Sequence, residues 1–177
     1  MIKKVVPITD PCLRIKSKPV KIFDKKIASL IKDLKDTLVV QKDPEGVGLA
    51  APQIGKNLQI FAIKPKDKIT VIVNPKIISQ GKAMNMPRDD NGKKIMEGCL
   101  SLPHYYGPLR RPDNIKIKYL DENGKETIKT FVGLEAQIVE HEIDHLNGIV
   151  FVNRLLEQKI PLFEYIDGEW DQVDLIM

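Results

Sequence analysis

Two histidines four residues apart are the most chemically suggestive feature of the sequence. They belong to the segment His141-Glu142-Ile143-Asp144-His145, an H-E-x-x-H pattern. In a helix, residues four apart share one face and lie about 6 Å apart along the axis, so both imidazoles can reach one metal ion. Glu142 stands beside them as a candidate general base. The segment therefore predicts metal-assisted hydrolysis.

A catalytic site of the zinc type needs a third protein ligand in addition to a water molecule. No histidine follows His145, and the remaining histidine, His104, falls in a predicted loop. Glu157 and Glu164 are available, but they lie in an acidic C-terminal stretch. Cys99 is the better candidate, because a thiolate and two imidazoles together suit zinc or ferrous iron.

The composition is that of one globular domain, with 42% apolar and 29% charged residues among 177. The net charge of +4 permits a polyanionic partner but does not argue for one. No run approaches the ~18 apolar residues that span a bilayer, and the N-terminus lacks the apolar stretch of a signal peptide. Cys12 and Cys99 form no C-x-x-C pair or disulfide framework. We therefore expect a cytoplasmic protein without membrane association.

The hydrophobic pattern predicts an α+β fold, in which mostly antiparallel, short-strand sheets pack around a central metal-binding helix and an N-terminal helix precedes them. Apolar residues at helical spacing mark the helices, and short alternating runs around turn residues mark the hairpins. The predicted elements are, in chain order, a helix over 24–41, a hairpin of 58–63 with 69–73, an exposed loop over 80–94, an extended segment over 95–102, a hairpin of 114–120 with 125–131, and a helix from Gly133 to about Gly148.

Three segments resemble the motifs of the peptide deformylase family. They are Gly46-Val47-Gly48-Leu49-Ala50-Ala51-Pro52-Gln53, Glu97-Gly98-Cys99-Leu100-Ser101, and the H-E-x-x-H segment. They occur in the family's order and at similar spacing, and the resemblance covers residues 1–156. It implies a metal-dependent hydrolase that removes the N-formyl group from the formyl-methionyl terminus of newly synthesised polypeptides and releases formate.

The resemblance also implies a role for each residue of the metal centre. Cys99, His141 and His145 would bind one divalent ion, with a water at the fourth position. Glu142 would act as the general base and later pass the proton to the leaving amine. Fe²⁺ is the expected ion in the cell, and the same ligands tolerate Zn²⁺, Ni²⁺ or Co²⁺.

Further roles follow from the same resemblance. The side-chain amide of Gln53 and the backbone N–H of Leu100 would stabilise the oxyanion of the tetrahedral intermediate. Arg111 would pair with Glu97 and so fix the strand that carries the cysteine. Glu140 stands where the family usually has glutamine, and we expect it to point away from the metal. The implied substrate-binding residues are Val47, Gly48, Ile95, Glu97, Gly98 and Ile138.

We predict a deformylase-like catalytic domain over residues 1–156 and an acidic tail over 157–177, with the tail a loose surface segment. A polyanion would repel this tail. A transient ribosome contact would therefore use residues 1–40, which hold ten Lys or Arg against four Asp. A solvated charged face explains the same residues, and nothing predicts sequence-specific nucleic-acid binding.

Two other functions stay open at this point. A peptide-bond metalloprotease shares the H-E-x-x-H pattern, although the sequence lacks a downstream histidine or glutamate ligand motif and has Cys99 instead. A metal-stabilised binding module for N-terminal peptides would bind the ion and the peptide without turnover. Cleavage of an unformylated internal peptide, or tight binding without formate release, would separate these functions from the first.

Overall fold

The computed structural model of the chain describes residues 1–89 and 91–174. Within these residues the chain forms three α-helices and eleven short β-strands. In chain order they are α1 (Lys25–Val39), β1 (Gly48–Ala50), β2 (Ile60–Ile63), β3 (Thr70–Gln80), β4 (Met84–Asn85), β5 (Glu97–Cys99), β6 (Leu102–Gly107), β7 (Arg111–Pro112), β8 (Asn114–Leu120), β9 (Glu126–Val132), α2 (Gly133–Leu146), α3 (Phe151–Gln158), β10 (Leu162–Ile166) and β11 (Glu169–Val173).

The strands form three sheets in which every neighbouring pair is antiparallel. The largest has the order β1-β2-β3-β8-β9, a second has the order β11-β10-β6-β5, and β4 pairs with β7. Both predicted hairpins are present as β2–β3 and β8–β9. The predicted α+β class with antiparallel sheets is confirmed.

Helix α2 lies at the centre of the molecule. Eleven consecutive residues, from Ala136 to Leu146, are buried. Its side chains Ile138 and Val139 pack into one cluster with Phe61 and Phe131 of the five-stranded sheet. Because the helix is covered on all sides, polar residues within it are buried too, and each of them needs a partner.

Helix α1 covers the other part of the five-stranded sheet. The Asp24 carboxylate caps its first turn by accepting hydrogen bonds from the backbone N–H groups of Lys26 and Ile27. Leu34 and Leu38 are fully buried in a second cluster with side chains of β2 and β3. The helix agrees with its prediction to within two residues at each end.

The segment over 80–94 is mostly exposed, as predicted, but it is not only a loop. Strand β3 continues to Gln80, and β4 pairs with β7 through Met84 and Asn85. Across the described residues, no helix is both long enough and apolar enough to cross a membrane.

The prediction of a loose tail after residue 156 is wrong for the part that the structure describes. Helix α3 continues to Gln158, and β10 and β11 form a hairpin whose first strand pairs with β6. The turn between these strands is Asp167-Gly168, with φ values of 52° and 87°, the left-handed conformation that a two-residue hairpin turn requires. Residues 175–177 of the predicted tail lie outside the described residues.

Candidate metal site and substrate groove

The three predicted metal ligands come together on α2 and β5. Ligand atoms of Cys99, His141 and His145 all lie within 4.8 Å of one another, and the three residues are buried. The Cys99 Sγ lies 3.3 Å from Nε2 of His145. The pairing of β5 with β6 shifts register between Gly98 and Cys99, an irregularity of the kind that turns a side chain away from the regular pleat.

These residues fit one tetrahedral divalent ion. Two ligands placed 2.0–2.3 Å from such an ion lie roughly 3.5 Å apart, close to the separation of the sulfur from His145 Nε2. Nδ1 of His141 is 2.7 Å from the Glu97 carboxylate, which leaves Nε2 of His141 for a metal. Burial lowers the pKa of His145 well below its ordinary value, and a neutral imidazole is the form that binds metals.

A buried ion pair fixes the orientation of His141. Glu97 accepts hydrogen bonds from Nε and Nη2 of Arg111, both of 2.7 Å, and one of 2.8 Å from the Gln137 amide. Burial alone would raise the pKa of Glu97, but the Arg111 charge outweighs it and holds that pKa well below its usual range. Glu97 is therefore ionised, and it can accept the Nδ1 proton of His141. The predicted pairing of Arg111 with Glu97 is present.

The ion pair continues towards the surface through Asp144. This carboxylate accepts a hydrogen bond of 2.9 Å from Arg111, and two more, of 3.0 and 2.6 Å, from Arg154 on α3. Glu140 points away from the metal ligands, as expected, but it is buried. One of its oxygens lies 4.0 Å from Arg111 Nη1, and the other accepts a hydrogen bond from Gln80.

The amide of Gln53 has one orientation. Its Oε1 accepts the backbone N–H of Ala50 at 2.9 Å, so its Nε2 is directed towards the metal site. That nitrogen lies 3.5 Å from Cys99 Sγ and 3.3 Å from Ser101 Oγ. The fold therefore places a buried, neutral N–H donor beside the ligand cluster.

Glu142 lies between the ligand cluster and β1. Its Oε2 is buried and has no hydrogen-bond partner in residues 1–89 and 91–174. A Cβ added to Gly48 would clash with its Oε1, so only glycine lets β1 approach this closely. Burial raises the pKa of Glu142 to about 7, although the nearby His141 acts in the opposite direction.

Comparisons with known proteins identify the family. Residues 2–160 match the model of the polypeptide deformylase family. The chain belongs to this family. A peptide deformylase of Pseudothermotoga lettingae is 39% identical over 86% of this chain and 82% of its own length, and peptide deformylase 2 of Clostridium acetobutylicum is 38% identical over 84% and 91%.

Solved structures of the family have the same fold. The peptide deformylase of Legionella pneumophila superposes with a TM-score of 0.76 at 40% identity, over 88% of this chain and 86% of that chain. The Thermotoga maritima enzyme superposes with a TM-score of 0.77 at 30% identity, over 87% of this chain and 97% of that chain. The chain is thus a peptide deformylase by family, a metal-dependent hydrolase that removes the N-formyl group from nascent polypeptides.

In this deformylase the ligand cluster opens into a groove. Its two sides are the segment from Pro44 to Gly48, and strands β5 and β6. All six predicted substrate-binding residues line it, together with Gln53, Leu100 and Glu142. Those six are Val47, Gly48, Ile95, Glu97, Gly98 and Ile138.

Several residues of the deformylase site were not predicted from the sequence. Gln137 lies four residues before His141, so the helical spacing that groups the two histidines could have included it. Met96, Leu134 and Tyr106 also line the groove. His104 lines the groove as well, but it is not part of the ligand cluster found in the described chain.

Proposed function

We propose that Cys99, His141 and His145 bind the catalytic ion and that Glu142 is the general base. The supporting observation is the position of a thiol and two imidazoles within 4.8 Å of one another, at the bottom of a groove that Glu142 also lines. A purely structural zinc site would close its fourth position with another Cys or His. No such residue joins the cluster in the chain as described.

The proposed reaction uses side chains that the fold already holds in place. When bound, the ion supplies Lewis acidity, which lowers the pKa of water and polarises a carbonyl oxygen. Glu142 accepts the proton of the attacking water and later donates it to the departing amine. The C–N bond of the formamide breaks, and the products are formate and a free amino terminus.

Two neutral donors stabilise the negative charge that develops on the formyl oxygen. Nε2 of Gln53 is turned to the site by the bond between its Oε1 and Ala50. The backbone N–H of Leu100, which follows the cysteine ligand, is the second proposed donor. Because these donors are preorganised, they need no rearrangement as the charge appears. Glu97 keeps His141 in one tautomer, with the proton on Nδ1.

The substrate side of the proposal concerns the groove. The methionine side chain of the formyl-methionyl terminus would contact Val47, Ile95 and Ile138, and the peptide backbone would follow Gly48 and Gly98 as an added strand. We place the reaction in the cytoplasm on newly made polypeptides. Any transient ribosome contact would use the basic residues 1–40, which lack the acidic character of the C-terminal hairpin.

We propose Fe²⁺ as the ion used in the cell, and Zn²⁺, Ni²⁺ and Co²⁺ as alternatives that the same donor set accepts. A thiolate beside ferrous iron is open to oxidation. Activity should therefore be measured without oxygen, with each metal added in turn to metal-free protein.

The decisive experiment measures formate release from formyl-Met-Ala by the wild-type chain and by Glu142→Ala. We expect the variant to keep its metal and to lose at least about 10²-fold in kcat. The control is Glu135→Ala, on the same helix, where the carboxylate pairs with Lys129 at 3.6 Å outside the groove.

An active Glu142→Ala would show that Glu142 is not the base. Cleavage of an unformylated peptide would favour a protease, and tight binding without formate would favour a binding module.

A further inference from the structure

The C-terminal hairpin extends the sheet that carries the cysteine ligand. The match to the family ends at residue 160, and the hairpin occupies 162–173. Its first strand, β10, pairs with β6, and β6 pairs with β5. Two strands from outside the matched region therefore extend the sheet that forms one side of the groove.

Three aromatic side chains form a strip on one face of this sheet, which we call the aromatic strip: Tyr106, Trp170 and Tyr165. Tyr106 is paired with Gly98 on one side and Phe163 on the other, and Tyr165 is paired with Trp170. Directly paired residues share a face of a sheet, and so do residues two apart on one strand, such as Phe163 and Tyr165 on β10. The three rings therefore lie on the same side of the sheet.

The rings of the aromatic strip are in contact and accessible. The centroid of Trp170 lies 5.4 Å from that of Tyr106, edge to face, and 4.6 Å from that of Tyr165. Trp170 is 49% exposed and Tyr165 is 39% exposed. Large aromatic side chains with open faces, clustered at one place, indicate a binding surface.

The aromatic strip begins inside the groove. A Cβ added to Gly98 would lie 2.7 Å from two ring atoms of Tyr106, so this ring packs on the glycine next to Cys99. Tyr106 lines the groove together with Pro44 and Glu45, whereas Trp170 and Tyr165 lie outside it. A side chain that extends from the groove across the face of the sheet therefore meets Tyr106 first and the other two rings next.

The surroundings of the aromatic strip are acidic. Residues 162–174 contain five carboxylates and no lysine or arginine. Glu164 and Asp171, which pair with each other, lie on the opposite face of the hairpin, and charges act over a Debye length of about 10 Å in 0.1 M salt. Burial raises the pKa of Tyr106, and the charge of Asp43 raises it further. These carboxylates add a negative contribution to the potential at the strip.

We propose that the aromatic strip binds a basic side chain of the nascent polypeptide, downstream of the formyl-methionine. This inference rests on the proposed function. Electron-rich ring faces attract cations, Trp most strongly, and nearby carboxylates add to that attraction. An acidic side chain at the same place meets repulsion. Tyr165 and Trp170 are thus specificity-determining residues of the reaction.

The basic residue lies downstream of the second residue of the polypeptide. An added strand runs parallel to β5, whereas the aromatic strip crosses the sheet from β6 to β11, so the rings are reached by a long side chain and not by the peptide backbone. We place this lysine at the third or fourth position of the polypeptide, and formyl-Met-Ala lacks it.

The first test compares formyl-Met-Ala-Ala-Lys amide with formyl-Met-Ala-Ala-Glu amide at low salt. We expect kcat/KM to favour the lysine peptide at least about fivefold in the wild type, with the difference in KM. In Trp170→Ala the preference should fall about threefold, and Trp170→Phe should restore most of it. The control is Ile166→Ala, since Ile166 is 52% exposed on the opposite face of the same hairpin.

Two results would overturn the inference. One is an equal rate for the lysine and glutamate peptides in a wild type that hydrolyses formyl-Met-Ala well. The other is an equal loss of kcat/KM on formyl-Met-Ala and on the lysine peptide in Trp170→Ala. Trp170 would then stabilise the fold of the groove and would not bind the downstream part of the peptide.

A second measurement does not depend on turnover. Trp170 is the one tryptophan of the chain, so its fluorescence reports directly on the aromatic strip. Titration with the unformylated peptide Met-Ala-Ala-Lys amide should change the emission at lower concentration than titration with the glutamate peptide. If the wild type released no formate but this difference held, the proposed function would fail and the binding surface would stand. If formate were released and the emission changed equally with both peptides, only the binding surface would fail.

Discussion

Arg111 and Glu97 form a two-pronged ion pair in the interior, in which each carboxylate oxygen accepts one hydrogen bond of 2.7 Å from the guanidinium. The side chains are 6% and 5% exposed. One of the same carboxylate oxygens lies 2.7 Å from Nδ1 of His141. The orientation of His141, a proposed metal ligand, therefore depends on the charge of Arg111, which lies on β7.

Replacing Arg111 with methionine should destabilise the protein and weaken metal binding. The carboxylates of Glu97 and Asp144 would lose a buried partner, and removal of one partner from such a pair costs about 3–5 kcal/mol. Metal affinity should fall about 10–100-fold, because His141 would no longer be held in one orientation. Denaturant unfolding and metal titration measure the two effects.

The control for this change is Lys118→Met. Lys118 pairs with Glu126 at 2.8 Å, but the two side chains are 43% and 58% exposed. Exposed pairs contribute at most about 1 kcal/mol. Equal losses of stability in the two variants would mean that the interior ion pair has no special role.

Gln53→Leu should reduce the rate without preventing metal binding. Leucine has a similar volume but cannot donate a hydrogen bond to the formyl oxygen, and loss of one such donor costs about 10²–10³ in kcat. The Ala50 N–H would lose its acceptor, so a stability loss of about 1–3 kcal/mol should accompany it. Steady-state kinetics on formyl-Met-Ala measures the rate. The comparison is Gln59→Leu, whose side-chain amide donates a hydrogen bond to the Ser17 carbonyl. An unchanged kcat would remove Gln53 from the mechanism.

Gly48→Ala should reduce activity strongly and stability only moderately. The added methyl group would clash with the Glu142 carboxylate and lie 3.0 Å from Cγ2 of Ile138, so the carboxylate must move. A displacement of about 1 Å can cost about 10²-fold in rate, whereas overpacking typically costs about 1–3 kcal/mol of stability. Kinetics and thermal unfolding of the same preparation give both values. Full activity with a folded protein would show that the base tolerates a new position.

Cys12 should react slowly with alkylating reagents at pH 8. Burial, and then Asp10, raise the pKa of its thiol to about 11. The reactive thiolate is present only as the pH approaches that value, so at pH 8 its fraction is roughly two hundredfold lower than for an ordinary thiol with a pKa near 8.5. Between pH 8 and pH 10 the rate should rise about 100-fold. Iodoacetamide labelling followed by peptide mapping distinguishes Cys12 from Cys99, and a rate that levels off below pH 9 would contradict the shift.

The sequence was most informative where the relevant geometry is local. His141, Glu142 and His145 lie within five residues, and their arrangement follows from the helix itself, whose beginning at Gly133 was also predicted. Cys99 is 42 residues earlier in the chain, and it could be included only because a cysteine ligand suited the chemistry and its flanking residues resembled a known motif.

The errors concern pairings between distant segments. The acidic composition after residue 156 suggested a loose tail, yet Asp167-Gly168 is a strong turn signal and the flanking residues alternate. What the sequence could not reveal is that the edge of β6 is available to pair with β10. The bonds from Arg154 to Asp144 were missed for the same reason, since they depend on how α3 packs beside α2.

The burial of α2 from Ala136 to Leu146 has a consequence for biosynthesis. A chain leaves the ribosome from its N-terminus, so the strands up to Val132 emerge before the helix that they surround. His145, the last of the proposed ligands, is synthesised 46 residues after Cys99, the first of them. A molecule that removes the formyl group from new proteins thus becomes competent only after its own metal-binding helix has been made.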